Sequence, residues 1–301
     1  GPKRLIAGSP QRSTMATLNE WASTSCHRLV AAGIDRREAG IDVEVLARHV
    51  LGWSRAQWLS RNREPATEGF RTKVDPLVAR RCRREPVAQI VGTREFWGLD
   101  IEVTPDVLTP RPESELLVET TLAKLANRSA PCTIVDVGTG SGCLAIALAS
   151  ELPLAHIVAT DVSPNALRVA RRNAARHQTN DRTTFRETRF LDGLDGPYDL
   201  VVSNPPYIPD REMAKLPPEV GLHEPDCALR GGPDGLDPAR SLANAAASCL
   251  RAGGWLLVEI GVDQSSEIPS IAGTAGLTLI EIVADIQGIP RVAAMQNTGN
   301  S

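Results

Sequence analysis

Apolar positions fall into two regimes along the chain. From residue 16 to about 85 they recur at helical spacing. Leu18, Trp21, Ala22, Leu29 and Val30 form one stripe that Gly33 can end, and Asp42 can cap a second run carrying Val45, Leu46, Val50 and Leu51, closed by Gly52. Ser54 can open a short helix with Trp58 and Leu59, and Phe70, Val74, Leu77 and Val78 form a last stripe, bent or started near Pro76. These stripes predict a small helical bundle over 15–86, with the stripes as its core. Residues 1–14 lack periodicity and read as a flexible tail. Residues 87–111 read as an extended linker or hairpin.

The pattern changes after residue 111. Short apolar runs rich in β-branched residues alternate with helical stretches, predicting strands near 132–137, 156–160, 183–187, 198–203, 254–260, 277–284 and 291–297. Helices are expected near 112–127, 141–151, 164–177, 238–251 and 264–275. Such alternation predicts an α/β, doubly wound, mostly parallel seven-stranded sheet covered on both faces. The link Asp285–Pro290 is too short for a crossover helix, so the last strand should be antiparallel. In such a sheet a ligand sits over the C-terminal ends of the strands.

Two of those strand ends carry unusual chemistry. Tyr198–Ser203 runs into Asn204-Pro205-Pro206-Tyr207. Two prolines remove backbone donors and hold an extended path, leaving the Asn204 carboxamide and the carbonyls beside the prolines as acceptors for a flat N–H-bearing group. The Tyr207 ring can stack on that group. Thr133–Val137 runs into Gly138-Thr139-Gly140-Ser141-Gly142 and then an alanine-rich helix, a loop that lets backbone N–H groups approach a ligand closely. The spacing is G-x-G-x-G rather than G-x-G-x-x-G. Asp161 ends the next strand about twenty residues further on, where an acid can accept from ribose hydroxyls; capping the following helix is its plainer role.

On these residues the chain resembles class I S-adenosylmethionine-dependent amino-methyltransferases: the run Asp136–Gly142, the acid Asp161, and Asn204–Tyr207. Phe96-Trp97-Gly98-Leu99, Leu108–Glu115, His223-Glu224-Pro225 and Leu229–Leu236 are similar to protein-glutamine methyltransferases acting on peptide-chain release factors, and the similarity runs from about residue 20 to about residue 297. The resemblance implies S-adenosylmethionine as cofactor and the glutamine of the release-factor Gly-Gly-Gln motif as substrate. It places Gly138 through Gly142 against the methionine and ribose, Asp136 toward the methionine amino group and Asp161 on the ribose. The adenine slot then falls around Glu187–Phe190, where Arg189 stands in place of an expected aromatic and Phe190 takes the stacking role. Catalysis and substrate binding fall to Asn204, Pro205, Pro206 and Tyr207, with Asn204 also reaching the cofactor. Phe96, Arg111 and Pro112 would roof the substrate site, with His223–Leu236 as a flexible substrate-facing loop. Glu113 and Glu115 are candidate proton acceptors, though caps of the helix they open is the simpler role.

Composition narrows the alternatives. At 301 residues and 42% hydrophobic content the chain can bury a sizeable core, and no apolar run approaches the ~20 residues of a membrane span. No signal-peptide pattern opens it. Six scattered cysteines and five histidines lack metal-ligand spacing, so reduced thiols, a cytoplasmic location and no metal are expected. Residues 101–301 carry 16 Lys and Arg against 25 Asp and Glu, a balance of −9, whereas the first hundred carry +6. An acidic second half fits a basic protein partner better than a phosphate backbone, so no direct nucleic-acid contact is expected. The one basic run, Arg80, Arg81, Arg83 and Arg84, reads as a solvated helix end or as a docking patch. A monomer is expected. A ribosomal-protein glutamine methyltransferase and a nucleic-acid amino-methyltransferase that extrudes its target base are the alternatives, with a non-enzymatic cofactor-binding scaffold behind them.

Overall fold

The computed structural model describes residues 15–299 and divides into two compact units, up to Val91 and from Gly92 onward. The tail expected over 1–14 lies outside the described residues.

The first unit is helical: α1 (Leu18–Ala31), α2 (Arg36–Leu51), α3 (Arg55–Arg61), α4 (Glu68–Cys82) and α5 (Val87–Val91). Side-chain caps start the first four. Thr17 and Ser54 form capping boxes with Glu20 and Gln57, and Thr67 accepts from Phe70 N–H. The expected stripes meet in one core of Leu18, Trp21, Leu29, Leu46, Trp58, Phe70, Val74 and Val78. Trp21 meets Phe70 edge-on at 4.9 Å and donates its indole N–H to Asp75.

Three expectations change here. Asp35, not Asp42, caps α2. Asp42 sits inside the helix, buried, because the Arg81 guanidinium meets it at 2.6 Å. Helix α4 runs through Pro76 rather than starting there, carried by Phe70, Val74 and Val78 packed on both sides of the proline. Three of the four arginines in the basic run are engaged within this unit, and Arg83 is exposed. Arg80 pairs with Glu85, Arg81 is buried on Asp42 and Glu38, and Arg84 donates to the Gly33 carbonyl past the end of α1.

The second unit opens with a hairpin, β1 (Thr93–Phe96) and β2 (Leu99–Glu102), narrower than the 87–111 segment expected. Phe96 and Ile101 are fully buried with Leu117, Val118 and Ile134, each contributing on the order of 1.5–3 kcal/mol. A 3-10 turn over Pro112–Ser114 precedes α6 (Glu115–Lys124), so the predicted helix 112–127 is shorter and split. Then follow β3 (Cys132–Val137), α7 (Cys143–Glu151), β4 (Ala155–Asp161), α8 (Pro164–Arg176), β5 (Thr183–Glu187) and β6 (Tyr198–Ser203). A short helix α9 (Pro218–Gly221) lies in the next connection, before α10 (Asp237–Cys249), β7 (Leu250–Glu259), α11 (Ile268–Ala275), β8 (Thr278–Ala284) and β9 (Pro290–Gln296).

The seven-stranded sheet has the order β5-β4-β3-β6-β7-β9-β8. Its strands are parallel except β9, which runs antiparallel to both β7 and β8. Separate apolar clusters cover the two faces, one with α10 and α11 and one with α6 and α7. Chain order reverses between β3 and β6, so a crevice opens beyond their C-terminal ends. Val137 pairs with Ser203, which places Gly138 and Asn204 side by side there.

Candidate active site

The crevice holds two cavities of about 180 and 200 Å³, each far larger than the ~10–15 Å³ that holds one water. Both are bounded by Leu108, Asn204, Pro205 and Ala228. The first extends toward Gly138, Gly140, Asp161, Thr188, Arg189 and Phe190. The second extends toward Arg111, Tyr207, Leu216 and Val220.

The glycine loop divides its labour. Gly138 and Gly140 have φ of +72° and +54°, and a Cβ at either would project into open space. Gly142, at φ +83°, instead faces α8, where a Cβ would come within 3.1 Å of Ala170. Thr139 and Ser141 are buried and brace the loop. Thr139 donates its amide to Thr160 and its hydroxyl to Asp136 at 2.6 Å, and the Ser141 carbonyl accepts from Asn173. Of the five loop residues, Gly138 and Gly140 alone line the cavity.

Asp161 accepts the Gly140 amide at 2.9 Å and the Ser163 amide at 2.9 Å while lining the first cavity. Ser163, not Asp161, caps α8. Burial raises the Asp161 pKa despite these bonds. Asp136 lies behind the loop, fully buried. Its Oδ2 accepts from Thr139 and Ala145, and its Oδ1 has no partner. Burial pushes its pKa up to about 7. A buried orphan carboxylate oxygen beneath a positive-φ loop suits a cationic amino group or a bridging water. At the far end Arg189 and Phe190 line the cavity, with the Arg189 guanidinium 5.3 Å from the Phe190 ring. These residues therefore fit a cofactor with an amino-acid end, a ribose and a flat base.

On the other wall, Asn204 lines both cavities and its Nδ2 donates to Ser114 Oγ at 2.9 Å, leaving Oδ1 without a protein hydrogen bond among the described residues. No protein hydrogen bond takes the Pro205 carbonyl among the described residues. The Tyr207 carbonyl accepts from Gln264, which also bonds the Gly235 carbonyl, and so the elbow is pinned. Burial and the nearby Glu259 charge push the Tyr207 phenol up to about 12, so it stays neutral.

Arg111 lines the second cavity and pairs with the buried Glu224 at 2.6 Å; Glu224 also accepts the Thr109 amide. Phe96 does not roof this site: it is 1% exposed, because its ring packs into the core cluster with Leu117 and Val118 of α6 and Ile134 of β3. Pro112 is exposed and lines neither cavity. Glu115 accepts the Trp97 amide at 2.8 Å, and neither it nor the exposed Glu113 lines a cavity. The 223–236 segment is held rather than loose: Ile208 and Arg230 form a parallel bridge, and Asp210 N–H bonds the Gly232 carbonyl. Sequence reasoning missed Leu108, which touches both cavities, and Ser114 and Glu259. The signal for Glu259 was available, since it closes an apolar strand just as Asp161 does.

Strand order, a glycine loop at the switch point and an acid on the neighbouring strand end together define the class I methyltransferase fold. A family model described as "Methyltransferase small domain" matches residues 112–216, and one described as "PrmC N-terminal domain" matches residues 20–92. A release factor glutamine methyltransferase of Cereibacter sphaeroides is 42% identical over 267 residues, covering 89% of this chain and 94% of its own. One of Geobacter sulfurreducens is 45% identical over 217 residues, covering 72% and 75%. The chain belongs to the release factor glutamine methyltransferase family. Among solved structures, a ribosomal protein L11 methylase of Lactobacillus delbrueckii subsp. bulgaricus is similar over 65% of this chain and 84% of its own, with 21% identity and a TM-score of 0.48, too loose a likeness to bear on chemistry.

Proposed function

We propose that this chain methylates the side-chain amide nitrogen of the glutamine in the Gly-Gly-Gln motif of peptide-chain release factors, using S-adenosylmethionine. The observation that carries this reading is the pair of open acceptors, Asn204 Oδ1 and the Pro205 carbonyl, where two cavities meet. When bound, S-adenosylmethionine supplies a methyl group made electrophilic by its sulfonium.

Gly138 and Gly140 would hold its methionine end, with Asp136 behind them. Asp161 would take the ribose, and Arg189 and Phe190 the base. The second cavity is lined mainly by Leu108, Ile208, Leu216, Val220 and Leu229, which suits the methylene stem of a glutamine. The two acceptors would then take both N–H groups of its amide. That fixes the amide plane and turns the nitrogen toward the first cavity, and holding a reacting atom so can contribute several kcal/mol. Accepting both hydrogens also raises electron density on a nitrogen whose lone pair is conjugated. The neutral Tyr207 ring would flank the amide plane. Both cavities open to solvent, so the released proton can pass to water without a dedicated base.

Glycines beside the target glutamine would let a narrow channel admit it. The −9 balance of residues 101–301 favours a basic protein loop over a nucleic acid. The helical unit would dock the rest of the partner, acting as a monomer in the cytoplasm. Incubating the protein with labelled S-adenosylmethionine and unmodified release factor, then mapping the label by mass spectrometry, should place one methyl on that glutamine. Label on lysine or on nucleic acid would sink the reading.

A further inference from the structure

We infer that Glu259 and Ser114 are positioning residues for this transfer: a buried relay from carboxylate to hydroxyl to carboxamide decides which face of Asn204 meets the acceptor. The inference rests on the role proposed above for Asn204 and deepens it.

Glu259 closes β7 at the crevice and is 3% exposed. It forms no ion pair among the described residues and accepts the Ser114 hydroxyl at 2.6 Å. Ser114, also 3% exposed, accepts from Asn204 Nδ2 at 2.9 Å. An ionised carboxylate can only accept, and a serine hydroxyl has a single proton. With that proton committed to Glu259, Ser114 can offer Asn204 only a lone pair. The carboxamide must therefore turn its NH₂ to Ser114 and its Oδ1 to the cavities. The order of donors matters because a glutamine amide also presents N–H groups. If Glu259 carried a proton, or were an amide, it could donate to Ser114. Ser114 could then donate to Asn204, and the flipped carboxamide would set NH₂ against NH₂.

The groups facing Glu259 are Glu113 from the 3-10 turn, the Tyr207 phenol from the elbow, Arg291 from β9 and the Cys143 thiol from α7; Arg111 acts on Tyr207. Burial pushes Glu259 up to about 7, against the pull of Ser114 and Arg291. The relay should thus set correctly as pH rises through neutrality.

The test measures kcat and KM for both substrates from about pH 6 to about pH 9, with donor affinity and melting temperature, in Glu259→Gln, Ser114→Ala, Ser114→Thr and Asn204→Ala. We expect Glu259→Gln and Ser114→Ala to lower kcat roughly tenfold to a hundredfold, less than the ~10²–10³ of losing the contacting group itself. Donor affinity and the KM for the donor should stay within about threefold, since the groups lining the first cavity toward Gly138, Asp161 and Phe190 are untouched, while KM for the protein substrate should rise with the turned carboxamide. Glu259→Gln should also lose the wild-type fall of kcat on the acid side, and Ser114→Thr, which keeps the hydroxyl, should recover the rate. If Glu259→Gln does not fold, Ser114→Ala and Ser114→Thr carry the test alone. Wild-type kcat in a folded Ser114→Ala, with Asn204→Ala inactive, would overturn the relay and leave the function standing. Full activity in Asn204→Ala would overturn both.

Discussion

Both units bury carboxylates, and they treat them in opposite ways. In the helical unit Asp42 is met by the Arg81 guanidinium, itself 1% exposed and shared with Glu38. At the crevice of the sheet unit, Asp136 and Glu259 are as deeply buried, yet neither has an ion-pair partner among the described residues, and Asp136 keeps one oxygen with no partner. A buried charge that is neutralised locks helices together. One left without a counter-charge raises the energy of its surroundings, which the fold tolerates where a ligand or a relay uses it.

The contrast can be broken at several points. The largest effect should come from Arg81→Met. Removing the guanidinium takes from the buried Asp42 the counter-charge at 2.6 Å, and we expect about 3–5 kcal/mol of lost stability, read by denaturant unfolding. A loss under about 1 kcal/mol would mean the pair holds little. Nearly as large, but in rate, is Asn204→Ala: roughly 10²–10³ in kcat, with donor affinity unchanged within a few fold. Equal loss of affinity and rate would show that Asn204 belongs to the cofactor site instead.

The glycine loop should separate the two kinds of cost within a single turn. Gly142→Ala puts a methyl 3.1 Å from Ala170 and should destabilise by about 1–3 kcal/mol. Gly140→Ala meets no neighbour, so beyond about 1–2 kcal/mol of backbone strain its effect should appear as weaker donor binding by calorimetry. Similar binding by both variants would remove that division.

The smallest effect concerns pH. Asp136 rises from 3.8 to about 7 on folding, and Glu259 from 4.5 to about 7. The folded state therefore binds protons more tightly, and the stability these two acids contribute is full below about pH 4 and lost as pH climbs to about 7. Asp136→Asn should gain melting temperature relative to wild type over that window. A constant difference across it would show that Asp136 is ionised throughout. Activity should run the other way, since the relay needs Glu259 charged.

Much of this was legible in the chain. Period and β-branched runs located the seven strands within a few residues, because a doubly covered parallel sheet demands continuous apolar runs. The short Asp285–Pro290 link implied the antiparallel strand. Asn204–Tyr207 and the glycine loop stood out because each breaks the local rules of a strand end. What the sequence determined by itself was therefore local: elements, their order, and residues costly to explain otherwise. Tertiary structure alone decided which distant side chains share a proton. It brought Ser114, Asn204 and Glu259 from three separate segments into one chain of hydrogen bonds, and it drew Phe96 into the core and away from the site. Hydrogen bonds and burial depend on where other elements end in space, and spacing along a single strand or helix does not encode that distance.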